Sequence, residues 1–274
     1  MRKTLTLGLA AGIVAAIGFV APAQAISSTS ADLSVLHAIP GLTVDVYVDG
    51  ALTLDNFTPG TLAGPLDVPA GDHVVAITAA DAADASAPVL GPITLSLAAG
   101  SSYTAVAHLD ASGNPTVTNF TNDISATPAG QGRLTVRHVA AAPAVDILAG
   151  GAAVVSGLTN PNEASLVLPA STVSAAVALA GTTAPVIGPA DVVIKDGTLT
   201  IVYAWGSAED GNLALATQEI TVAHTNPGGV NSGTAGYAAQ RDEMVRAIWI
   251  GGAAVALAAL VAAVVIVRRR RIES

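Results

Sequence analysis

The residues best equipped for chemistry are two histidines and two aspartates at matched spacing. His37 is followed by Asp45, and the same pair recurs as His138 and Asp146. A histidine oriented by a carboxylate can serve as a base. No G-x-S-x-G nucleophile elbow accompanies either pair, and nothing supplies an oxyanion site. On strands, a buried Asp satisfies backbone amides and a buried His bonds a carbonyl, so the pairs read as structural. The remaining histidines, His73, His108 and His224, are isolated by spacing. The chain has no cysteine, and no H-E-x-x-H, EF-hand loop or phosphate-cradling glycine motif occurs. No catalytic residue, cofactor or metal ligand is therefore assigned, and His37, Asp45, His138 and Asp146 stand as repeat-equivalent candidates.

Two loops could offer oxygen ligands to calcium: Asp110-Ala111-Ser112-Gly113-Asn114 and Glu209-Asp210-Gly211-Asn212. The same letters are what a hairpin turn demands, since Gly and Asn tolerate positive φ. Turn chemistry alone accounts for them.

The matched pairs belong to a longer duplication. Leu33-Ser34-Val35-Leu36-His37 aligns with Leu134-Thr135-Val136-Arg137-His138 at an offset of 101. Val44-Asp45-Val46 aligns with Val145-Asp146-Ile147 at the same offset, and Val68-Pro69-Ala70 with Leu168-Pro169-Ala170 at 100. Ala87–Pro92 aligns with Ala184–Pro189 at 97. Collinear order with a shared His and Asp in register marks one module written twice.

Each copy reads as strands. Val44–Val48 alternates as a half-buried strand does, and Asp72–Thr78, Pro92–Leu97 and Tyr103–Leu109 are short runs between turn signals such as Pro40-Gly41, Asp49-Gly50, Pro59-Gly60 and Ala99-Gly100. No sustained helical period occurs from Ile26 to Ile220. About seven short strands per copy suit an immunoglobulin-like sandwich. The expected fold is all-β: two tandem immunoglobulin-like β-sandwich domains plus one C-terminal transmembrane α-helix.

The two ends point to a membrane address. Residues 1–25 read as a signal peptide, with Arg2 and Lys3, an apolar run to Val20, and Ala23-Gln24-Ala25 at the cleavage site. Residues 26–127 and 128–220 are the two modules, and 221–246 a flexible stalk rich in Gly, Asn and Pro. Ala247–Val267 is 21 uncharged residues, about 31 Å as a helix, which matches a hydrocarbon core of about 30 Å. Arg268–Arg271 open a tail, 268–274, that the positive-inside rule keeps cytoplasmic. No L-P-x-T-G-like sorting motif precedes the apolar run, so retention in the membrane is expected rather than wall attachment.

Composition narrows the class. The 274 residues carry a net charge of −9, and from Ala31 through Gly132 there are ten acidic residues and not one Lys or Arg. That excludes a nucleic-acid binder, which needs clustered cations. The acids are dispersed, as on a solvated anionic surface. With only 3% aromatic residues, a carbohydrate-stacking platform is disfavoured.

The pattern His37 … Val44-Asp45-Val46-Tyr47-Val48-Asp49-Gly50 … Val68-Pro69-Ala70-Gly71 … Ala99-Gly100-Ser101-Ser102-Tyr103-Thr104 resembles the bacterial domain of unknown function numbered 4397. The resemblance runs over Ala31–Ile220 and implies a secreted or surface-anchored protein, often with tandem copies, and no established activity. The second copy departs from it at Leu148-Ala149-Gly150 and at Thr200, where the first has Tyr103.

The expectation is a non-enzymatic, single-pass membrane protein that presents two modules outside the cell. Its partner would be a cell-wall polymer or an envelope protein. An envelope hydrolase with an unrecognised site is the alternative, and a subunit of a membrane complex a third.

Overall fold

A computed structural model describes residues 26–225, all of it strand, turn and loop with no helix. The signal segment 1–25, the span 247–267 and the tail 268–274 lie outside the described residues.

The first half carries β1 (Ser30–Ala38), β2 (Val44–Val48), β3 (Ala51–Phe57), β4 (Leu62–Pro69), β5 (Gly71–Ala79), β6 (Leu90–Leu97), β7 (Ser102–Leu109) and β8 (Pro115–Asn122). A short β9 (Thr127–Pro128) bridges to the second half: β10 (Gln131–Ala141), β11 (Val145–Ala149), β12 (Ala152–Leu158), β13 (Glu163–Pro169), β14 (Ser171–Leu179), β15 (Pro185–Ile194), β16 (Thr198–Ser207) and β17 (Ala214–Thr221). β18 (His224–Thr225) closes the described chain against β9.

Each half builds two four-stranded sheets, in the orders β4-β1-β7-β8 and β3-β2-β5-β6, then β13-β10-β16-β17 and β12-β11-β14-β15. The pairs β1–β7 and β10–β16 are parallel, and the other pairs within these four sheets are antiparallel. The fold is thus all-β and sandwich-like, but its strand order departs from the expected immunoglobulin arrangement. There the first strand pairs with the second. Here the loop after Ala38 carries the chain across to the opposite sheet, so β1 and β2 never pair.

Alternation decides what each sheet covers. Leu33 and Val35 of β1 join Val44, Val46, Ile77, Leu95 and Tyr103 in the core of the first sandwich. Leu134 and Val136 of β10 join Val145, Ile147, Val177 and Val202 in the second. The opposite faces of β1, β7 and β8 are buried too: Leu36, Ala38, Val106 and Phe120 meet Val139, Leu199, Ile201 and Tyr203 in a third cluster. These sheets are covered on both sides, which is why β7 and β10 are buried almost throughout. Strands of that kind carry apolar residues on both faces rather than a clean alternation.

Val222 lies in that third cluster and its N–H bonds the Gly197 carbonyl at 2.9 Å. The segment 221–225, expected as the start of the stalk, is part of the folded unit, which extends to Thr225. The turn-rich letters begin only at Asn226.

Strand direction sorts the loops into two ends. β1, β3, β5 and β7 run one way and β2, β4, β6 and β8 the other, and the second half repeats this order. The loops 39–43, 58–61, 80–89 and 110–114 therefore share one end, with 142–144, 159–162, 180–184 and 208–213 their counterparts. The two ends coincide across the contact between the halves. The Asn160 amide donates to the Leu109 carbonyl at 2.8 Å, and Gly60 abuts the Trp205 ring. β1 begins, and β17 finishes, at the opposite end.

Candidate functional site

His37 and Asp45 sit close to the same corner but do not form a dyad; each is committed to backbone. His37 is 1% exposed and its Nε2–H donates to the Leu42 carbonyl at 2.7 Å, fixing the β1–β2 loop. Nδ1 then accepts the Ile39 N–H at 3.5 Å, and the ring stacks on Phe57. Burial holds this imidazole below its usual range, which keeps it neutral.

Asp45 anchors an irregularity in β3. Val44 pairs with Phe57 and Val46 with Leu54, which leaves one extra residue in β3. Asn56, at φ 53°, is part of that bulge, and its N–H donates to Asp45 Oδ1 at 2.8 Å. A carboxylate thereby satisfies an amide that has left the ladder.

The second half repeats both arrangements. His138 Nε2–H donates to the Pro143 carbonyl at 3.1 Å, Nδ1 accepts the Ala140 N–H at 3.4 Å, and burial lowers its pKa as well. Asp146 Oδ1 accepts the N–H of Gly157, at φ 68°, and Oδ2 that of Gly181, both at 2.8 Å. The shared His and Asp thus fix one loop and one bulge in the first module and two loops and one bulge in the second, all through hydrogen bonds to backbone.

The acidic hairpin tips close on themselves. Asp110 Oδ1 accepts the N–H groups of Ser112 and Asn114 at 2.8 and 2.9 Å. In the second tip Asn212, rather than Glu209 or Asp210, does this work, its Oδ1 accepting the Ser207 N–H at 2.7 Å. Among the described residues no group of three or more His, Asp or Glu side chains is placed to hold a metal ion.

Two constellations were not anticipated from the sequence. The first is Arg137, fully buried between the halves. Its Nε donates to Glu163 at 2.7 Å and its Nη1 to the Tyr203 hydroxyl at 2.9 Å. Tyr203 donates to Gln218 Oε1 at 2.6 Å, and Gln218 Nε2 reaches Ser34 Oγ of the first half at 3.1 Å. Thr104 donates to the same Gln218 oxygen at 3.0 Å and accepts from Asn122 Nδ2 at 3.1 Å. Burial pushes the Tyr203 hydroxyl up, so it stays a donor. The signal was available: Arg137 interrupts the buried run of β10 where the first copy has Leu36, and a charge inside such a strand needs buried partners.

The second is His73, whose Nδ1 lies 2.7 Å from Asp49 Oδ2 and whose Nε2 lies 2.7 Å from the Pro69 carbonyl. Both partners only accept, so satisfying both requires the imidazolium; the bond to Asp49, then that to Pro69, raises its pKa. The second copy has Val173 and Gly150 at these positions.

Comparison with known proteins places the first half. The family model described as Domain of unknown function (DUF4397) matches residues 31–148. This part of the chain is thus similar to a DUF4397 domain. The DUF4397 match takes in β1 to β10 and ends inside β11 at Leu148, so it holds the whole first sandwich and the opening strands of the second. His37, Asp45, His138 and Asp146 all fall within it. No curated protein matches the chain.

Proposed function

We infer that the protein is a single-pass membrane protein whose two repeated β-sandwich modules stand outside the cell and serve envelope structure or interaction without catalysis. A cleaved signal over 1–25, a span over 247–267 and the arginine cluster Arg268–Arg271 set this topology from the sequence. The observation that carries the reading is the placement of the chain ends in the folded unit. β1 begins and β17 finishes at one end, so an anchor following Thr225 leaves the eight loops at the other end free to meet a wall polymer or envelope protein. The commitment of both His–Asp pairs to backbone supports a presenting role over a reacting one.

The test uses the full chain in its own cells. External protease should digest the modules on intact cells while a C-terminal epitope stays protected and sediments with membranes. Recovery of the intact chain in the cytosol, or protection of the modules, would overturn the topology. Crosslinking on intact cells should then capture an envelope component through the loop end.

A further inference from the structure

The registers of the two halves allow their contacting faces to be superposed residue by residue. Leu36 pairs with Val106 as Arg137 pairs with Tyr203, and Thr104 pairs with Phe120 as Ile201 pairs with Gln218. Leu36 is thus equivalent to Arg137, Val106 to Tyr203, and Phe120 to Gln218. Likewise Ala38 pairs with His108 as Val139 pairs with Trp205, making His108 the counterpart of Trp205.

The contacts themselves come in related pairs. The turn of the first module meets Trp205 through Gly60, and the turn of the second meets the residue after His108 through Asn160. Arg137 lies on Phe120, while Gln218, the counterpart of Phe120, lies on Ser34, beside Leu36. This is the reciprocity of a two-fold, isologous interface, built within one chain.

The equivalent side chains have nonetheless diverged so that each face suits the other and not itself. Two copies of the second face would set buried Arg137 against Gln218 instead of the Phe120 ring. Two copies of the first would lay Phe120 on Leu36 and leave Thr104 and Ser34 without Gln218. Arg137 would keep Glu163 and Tyr203 but lose the ring, and buried Ser34 would lose the Gln218 amide; a lost contact and a buried polar group left unpartnered discriminate between partners. The loop ends discriminate in the same way: Asn160 spans the Leu109 and Ala140 carbonyls with one amide, and Pro59-Gly60 has no side chain that could return the contact.

We propose that the β1/β7/β8 face is a docking surface whose specific partner is the β10/β16/β17 face, so that the two modules recognise each other as separate chains would, wherever the protein resides. The full chain carrying a protease site inserted after Ala129, in the exposed turn beyond β9, tests this. Cut natively, the two halves should stay together as a one-to-one complex on gel filtration and in native mass spectrometry. Mixed with isotope-labelled cut protein, every exchanged complex should hold one half of each kind. Phe120→Ala should raise the concentration at which the halves part by about tenfold or more, since it removes the ring on which Arg137 lies and leaves a cavity in the shared cluster. Val74→Ser, on the far exposed surface of the first module, should not. Halves that separate on cutting, or that pair with their own kind, would overturn the proposal.

Discussion

The guanidinium of Arg137 lies 4.3 Å from the ring centroid of Phe120, one residue from each half of the chain. A cation over a desolvated ring is attracted by its quadrupole, and this one is also held by Glu163 and Tyr203. Removing the guanidinium loses its packing on both rings and its bonds to Glu163 and Tyr203, whereas Glu163→Gln keeps that packing and an amide oxygen to accept from Nε and loses only the counter-charge of a half-exposed side chain. Arg137→Ala should therefore lower unfolding stability by about 3–5 kcal/mol, and Glu163→Gln by clearly less, in urea titrations of the full chain. Equal losses would mean that the contact with Phe120 and Tyr203 adds nothing.

Gly60 and Gly41 have similar φ, 79° and 75°, in neighbouring loops, yet differ in surroundings. A Cβ on Gly60 would stand 3.0 Å from Trp205 Cζ2, and one on Gly41 would meet nothing within 4 Å. Gly41→Ala should cost about 1 kcal/mol for backbone conformation alone. Gly60→Ala should cost more and should perturb the Trp205 fluorescence, while Gly41→Ala leaves that spectrum unchanged.

Asp146 satisfies two backbone amides and Asp45 one. Substitution by Ala leaves each amide without its acceptor, at about 1–3 kcal/mol per buried group. Asp146→Ala should thus be the more destabilising of the two, and the ranking of their denaturation midpoints checks it.

The histidines act on stability in opposite directions. His37, His108 and His138 have folded pKa values lowered by burial, so below a pH of about 6.5 the unfolded chain binds more protons and stability falls. His73 is raised by Asp49 and Pro69; its contribution is complete below the unfolded value and is lost as pH rises through the folded one. His73→Gln should flatten the alkaline side of the stability profile, and His37→Gln with His138→Gln the acid side.

If the hairpin tips are turns and not cation sites, millimolar calcium or EDTA leaves the melting temperature where it was. A calcium-dependent rise that Asp110→Asn removes would reassign that loop.

Much of this was legible in the residues. The duplication, the strands and the commitment of His37 and Asp45 to nearby backbone follow from alternation and register, because a two-residue period and a turn signal are local properties. The sheet order was not, since nothing local to Pro40-Gly41 says that the chain crosses to the opposite sheet. Nor was the burial of Leu36, Val106 and Phe120 against the second half. An apolar residue on the outward face of a strand looks the same whether it meets solvent or another module, and only Arg137, out of place in an apolar strand, hinted at a partner.

The first and second modules stand side by side, with their loop ends level and the chain passing out where it came in. Doubling the module has therefore broadened this body without raising it. Any protein that gains distance from its anchor by stacking domains end to end has taken a different route. Here the second module contributes width and a sheltered face rather than length.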